Sequence, residues 1–105
     1  MPTHWTEHYY EDEDGNKCLD LHHYSESGAM KKVKSFLYHM KREYFRSDKS
    51  RAHRFVDIIT GVGKHSWRHY SVIKEDVEDF LDRKDYSYEW DHGGGRVTID
   101  FYYST

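Results

Sequence analysis

Phe55-Val56-Asp57-Ile58-Ile59 runs without a break into Thr60-Gly61-Val62-Gly63-Lys64-His65-Ser66. The first five residues are mostly apolar and β-branched, the composition of a strand inside a sheet rather than at its edge. The two glycines then release the backbone into a loop. About forty residues earlier, Leu19-Asp20-Leu21-His22 has a similar character, a short alternating strand that gives way to polar residues. An α/β fold presents its chemistry where strands end and loops lead on to helices. Laid side by side, these two strand ends would gather an aspartate, two histidines, a lysine and a loosened backbone around one point. That set of groups suits phosphodiester chemistry.

Working outward, residues 17–22 alternate, which predicts Leu19 and Leu21 on one face and Asp20 and His22 on the other. Ser25 is placed to cap a helix over about residues 26–45, with Ala29, Val33, Phe36, Leu37, Met40 and Tyr44 as its apolar stripe. Residues 47–53 read as a polar, basic loop before the 55–59 strand. Ser71 is read as the cap of a second helix over about 72–83, buried through Ile73, Val77, Phe80 and Leu81. Tyr86, Tyr88 and Trp90 alternate as a third strand, Gly93-Gly94-Gly95 turns the chain, and Val97, Ile99 and Phe101 alternate as a fourth. The order β-α-β-α-β-β predicts an α/β two-layer sandwich: a mixed sheet of four strands with both helices on one face. Residues 1–16 are read as an acidic extension ending at the turn signal Gly15-Asn16, with Trp5, Tyr9 and Tyr10 available to dock it. Residues 17–105 form the domain.

At 105 residues the chain is one domain with a modest core. Aromatic residues make up 17% of it, ten of them tyrosine, so the core is expected to be rich in rings. No apolar run is long enough to cross a membrane, and no secretory signal opens the sequence. The single cysteine, Cys18, excludes an internal disulfide and a cysteine-based zinc site; a reducing compartment, read as the cytoplasm, fits. The net charge of -3 hides an asymmetry. Nine Lys or Arg residues lie between Lys31 and Arg54, opposed only by Glu43 and Asp48. A basic block in a mildly acidic protein is the footprint of a nucleic-acid binder, or else a solvated helix face.

The chemistry is carried by three groups of residues. A carboxylate two residues from an imidazole, as in Asp20 and His22, can fix its tautomer and stabilise the imidazolium formed on proton abstraction; alternatively the pair is an ordinary polar strand face. The glycine loop lets backbone amides approach a phosphate, with Lys64 to stabilise phosphorane charge and His65 to act as general acid. It is not a P-loop, because the glycine spacing is too short and no helix is read directly after the lysine. The loop could equally need its glycines for geometry alone. Trp67 and Arg68 follow it, with His69 and Tyr70, a mixture of rings and cations suited to stacking on unpaired bases. The other histidines are scattered, and neither a metal site nor a cofactor is read from them.

Taken together, the Leu-Asp-Leu-His segment and the Thr-Gly-x-Gly-x-His-Ser segment resemble the two signature motifs of the Smr (small MutS-related) domain. Val72-Ile73-Lys74 and the glycine-rich turn before the last strand add to the likeness, which covers about residues 17–102. The resemblance implies a two-layer fold like that of the C-terminal domain of the third translation initiation factor, and nuclease activity on DNA or on RNA at stalled ribosomes. It places the family's Asp-x-His on Asp20 and His22 and its loop histidine on His65. The chain departs from the family in having His23 where glycine is usual and Val62 where a cation is frequent. Its 47–54 loop is longer, and its 66–71 segment lacks glycine.

The leading expectation is a metal-independent RNA endonuclease acting on single-stranded RNA, including message on the ribosome. His22 would be the base, Asp20 its orienting partner and His65 the acid, giving a 2′,3′-cyclic phosphate and a 5′-hydroxyl. Thr60, Gly61, Gly63, Lys64, Ser66, Trp67 and Arg68 are the expected contacts near the cut, and Lys31, Lys34, Arg51 and Arg54 the expected contacts further out. The alternatives are a DNA-nicking nuclease, whose attacking water would usually need a divalent ion, and a non-catalytic module that binds nucleic acid or the ribosome.

Overall fold

Leu19, Val56, Ile58, Val97 and Ile99 are all buried and belong to one apolar cluster with residues from two helices. Because strand side chains alternate, these five residues define one face of a sheet, and the helices cover that face. The computed structural model describes residues 9–11, 17–22, 24–61, 67–91 and 93–104, with backbone only for 9–11 and 67–71.

The strands are β1 (Tyr9–Glu11), β2 (Lys17–Asp20), β3 (Phe55–Ile59), β4 (Ser87–Trp90) and β5 (Arg96–Asp100), and the helices are α1 (Glu26–Arg46) and α2 (Trp67–Arg83). A short 3-10 turn, Arg51–His53, leads into β3, its start capped by the Ser50 hydroxyl, which accepts from the Ala52 N–H. The sheet order is β1-β2-β3-β5-β4. β2 and β3 are parallel, with Asp20 level with Ile59, while β5 is antiparallel to both β3 and β4. The four strands and two helices expected from the pattern are all present, in a mixed two-layer α/β arrangement. The N-terminal extension adds a fifth strand. β1 pairs antiparallel with β2, Tyr10 level with Cys18, and closes that edge of the sheet. Three residues are too few for alternation to register.

α1 forms as its stripe predicts, burying the six residues named above. The Ser25 hydroxyl accepts from the Gly28 N–H at 3.1 Å, satisfying one donor that the first turn leaves open. α2 starts at Trp67, five residues before the expected Val72, so Ser71 lies inside the helix and is not its cap. No glycine or proline between 67 and 83 stops helix formation, and one serine inside a helix costs little. The helix therefore follows the glycine loop closely, and glycine spacing alone separates that loop from a P-loop. α2 ends at Arg83, and two residues on Asp85 takes the left-handed conformation (φ 59°) usually left to glycine.

Candidate active site

β2 and β3 run parallel and in register, so their carboxyl ends lie together. β2 ends at Asp20, and the chain continues alongside β3 for one more residue: the Leu21 N–H donates to the Ile59 carbonyl at 2.8 Å. His22 then sits on a turn pinned from both sides. Leu21 is fully buried, and Tyr24 packs against the core with its N–H bonded to the Leu21 carbonyl at 3.1 Å.

Asp20 and His22 do come together, but the turn brings them together rather than the strand pleat. Asp20 Oδ1 accepts from the His22 backbone N–H at 2.9 Å and from its ring Nδ1 at 2.8 Å. An ionised carboxylate can only accept, so Nδ1 carries the hydrogen and Nε2 is the nitrogen that takes up a proton. Both side chains are about one-third exposed, 34% for Asp20 and 35% for His22, within reach of a substrate yet held in place.

On the neighbouring strand end, Thr60 is fully buried and bonds twice to the Gly95 carbonyl, through its N–H at 2.8 Å and its hydroxyl at 3.3 Å. Thr60 thereby fastens the glycine turn before β5 to the site. That turn is held in its own right by Asp91, whose Oδ1 accepts from the Gly94 and Gly95 N–H groups. Gly61 has φ 83°, a conformation that a side chain would strain. Gly63, Lys64, His65 and Ser66 lie outside the described residues. Trp67 and Arg68 open α2, whose first turn contains no acidic residue. α1 begins at Glu26, six residues after the end of β2, and α2 at Trp67, eight after the end of β3, and a helix N-terminus favours an anion.

The outlying basic residues divide. Lys31 and Lys34 are exposed on α1. Arg51 and Arg54 precede β3 and lie at its opposite end, roughly 20 Å of strand from Thr60. Arg54 is engaged there: Nε and Nη2 each donate to Asp100 at 2.8 Å, and the rings of Phe55, Tyr102 and Tyr103 lie 4.8–5.6 Å from its guanidinium. The Arg54 hydrogen bonds hold the Asp100 carboxyl below its ordinary range, against the opposing effect of burial. Arg51 and Arg54 therefore do not join the group around His22.

One cation near the site was not visible in the sequence. Asp20, Ile59 and Arg96 stand level on β2, β3 and β5 and so share the sheet face away from the helices. Arg96 is fixed by Asp57 on the same face, its Nε donating to Asp57 Oδ2 at 2.8 Å and its Nη2 to the same oxygen. Asp57 is 3% exposed, and its other oxygen, Oδ1, has no hydrogen-bond partner. The two residues are 39 apart in sequence, and each alone reads as an ordinary polar strand position. Among the described residues, no group of three His, Cys, Asp or Glu side chains could hold a metal ion. Among the same residues, no helix is long and apolar enough to cross a membrane.

The described residues place an imidazole oriented by a carboxylate at the carboxyl end of β2, next to the end of β3. A family model, the Smr domain, matches residues 19–98, from the strand bearing Asp20 to the middle of β5. The chain belongs to the Smr domain family. Smr domains are associated with nuclease activity and with nucleic-acid binding. The matched span contains both strand ends, the glycine loop and the turn at Gly95, so the Smr unit coincides with the α/β layers that build the site. No curated protein and no solved structure matches the chain.

Proposed function

We propose that this Smr domain is an RNA endonuclease that needs no metal, with RNA preferred over DNA. The observation that carries the proposal is the 2.8 Å bond from His22 Nδ1 to Asp20, which makes Nε2 the basic nitrogen of the ring. RNA contains its own nucleophile, so a positioned base is enough to start the reaction. His22 Nε2 takes the proton from a 2′-hydroxyl while that oxygen attacks the adjacent phosphorus. The P–O5′ bond breaks, and His65 donates the proton that the leaving 5′-oxygen accepts. The products are a 2′,3′-cyclic phosphate and a 5′-hydroxyl. Lys64, Arg96 and the amides at the start of α2 offset the charge that builds on the phosphorane. Thr60, Gly61, Gly63 and Ser66 shape the backbone around the phosphate, and Trp67 and Arg68 stack on flanking bases. In this proposal the substrate is single-stranded, ribosome-associated message in the cytoplasm is the setting, and the ribosome supplies specificity that so small a domain lacks.

The test is incubation of the full chain, in excess chelator, with labelled single-stranded RNA and its all-deoxy counterpart, beside Asp20→Ala, His22→Ala and His65→Ala. Cleavage of RNA alone, with cyclic-phosphate ends and loss in all three variants, is expected. Ends with 3′-hydroxyl and 5′-phosphate, or nicking of DNA that stops in chelator, would sink this route in favour of water attack. Binding that survives in a protein that cleaves neither strand would leave a binding module.

A further inference from the structure

α1 from Lys34 to Arg46 and the carboxyl-terminal end of α2 line a groove of about 840 Å³, together with Lys84 and Tyr86. Six of its ten lining residues are Lys or Arg, the other four are aromatic, and none is acidic. Cations lie over rings. Lys34 lies 5.8 Å from the Phe80 ring centre, Lys41 5.1 Å from that of Tyr86 and Arg42 5.6 Å from that of Tyr38. Tyr38 is 57% exposed and Phe45 49%, although the buried stripe of α1 runs just beside them.

Cations at helix C-termini are expected from the helix dipole, which accounts for Arg46, Arg83 and Lys84. Two of these are also shared with neighbouring acids, Arg46 with Glu43 and Arg83 with Asp79. The dipole explains neither Lys34 and Lys41, which stand well before the end of α1, nor two half-exposed rings in the same groove.

We infer that this groove is a second nucleic-acid contact, which holds single-stranded RNA away from the cleavage site. The inference rests on the RNA reading of the site and extends it. Phosphates complement the cations, and base faces complement the open rings; only an unpaired strand offers both together. Lys34 lies about 13 Å along α1 from Ser25, at 1.5 Å per residue, and the groove continues for about 18 Å more to Arg46. A strand cut beside His22 reaches the groove only several nucleotides away, so the groove sets a minimum useful length of substrate.

Two double variants test this, Lys41→Glu/Arg42→Glu and Tyr38→Ala/Phe45→Ala, each checked for native circular dichroism. Anisotropy of a fluorescein-labelled 15-nucleotide oligouridine is read across KCl concentrations. The charge reversal is expected to weaken binding at least tenfold and to lower the log-log salt slope by about 1.4, about 0.7 for each single-strand phosphate no longer neutralised. The ring variant is expected to weaken binding at least threefold. In cleavage, the preference for a 15-mer over a tetramer, as a ratio of kcat/KM, should fall at least tenfold. Unchanged 15-mer binding in both variants overturns the inference, as does a wild type that binds no RNA. Tighter capture of a Glu/Trp-rich acidic peptide than of RNA, abolished in the variants, also overturns it and makes the occupant a protein. If the wild type binds through the groove and cleaves nothing, the groove stands and the catalytic reading falls. If it cleaves and the groove variants behave as wild type, the reverse holds.

Discussion

Two carboxylates on adjacent strands have different tasks. Asp20, one-third exposed at a strand end, orients an imidazole; Asp57, almost wholly buried, holds a guanidinium. Asp20→Asn keeps the shape but offers an amide in place of a pure acceptor, so His22 loses its fixed tautomer. We expect kcat on RNA to fall about 10²–10⁴-fold, the usual contribution of a positioned acid or base, with Kd for RNA within about threefold of wild type, read by single-turnover cleavage and anisotropy. Arg96→Met should cost about 3 kcal/mol in urea unfolding, the low end for removing one member of a buried pair, because Arg96 is partly exposed and Asp57 is not. Asp57→Leu/Arg96→Met should recover most of that loss. A single variant as stable as wild type would show that the pair does not matter to the fold. Asp20 and His22 were legible because they are two residues apart. The Asp57–Arg96 pair was not, because it depends on the antiparallel register of β3 and β5, which no local pattern specifies.

At the scale of elements, periodicity carried the reading. The six buried positions of α1 are those its spacing predicts, β5 buries the residues its alternation marks, and β3 is the central strand its apolar run indicates. The start of α2 was less legible because serine is both a favoured cap and a tolerated interior residue, so Ser71 carried an ambiguous signal. Ser25 is a cap in fact, and Ser25→Ala should lower stability by about 1 kcal/mol, measured by urea unfolding. No change there would mean that the Gly28 N–H finds water as readily. β1 escaped notice because its three residues gain their order from pairing with β2 and not from their own pattern.

At the scale of the molecule, the sheet has one end that carries the candidate site, at Asp20 and Thr60, and an opposite end fastened by Arg54 and Asp100. The opposite end gives the fold an acid-sensitive clasp. Arg54 holds Asp100 below its ordinary carboxylate range in the folded state, so the clasp stabilises the protein fully above the unfolded value of about 3.9. Its contribution fades as pH falls below about 4 towards the lowered folded value. Asp100→Asn should therefore reduce stability at pH 6 and flatten its decline between about pH 4 and pH 2, followed by urea unfolding across that range. A parallel decline in wild type and variant would show that other carboxylates dominate acid unfolding.

The sequence alone determined the strands β2–β5, the faces of both helices, the two-layer class and the family, because each follows from short-range periodicity or from a motif read along the chain. It also singled out Asp20 and His22, whose partnership is local. Only the tertiary structure decided that β1 joins the sheet, that Arg96 stands level with Asp20, and that Arg51 and Arg54 lie at the far end of β3. It alone brought the basic ends of α1 and α2 around one groove. Those relations join residues far apart in sequence, and they are set by strand order, register and helix packing.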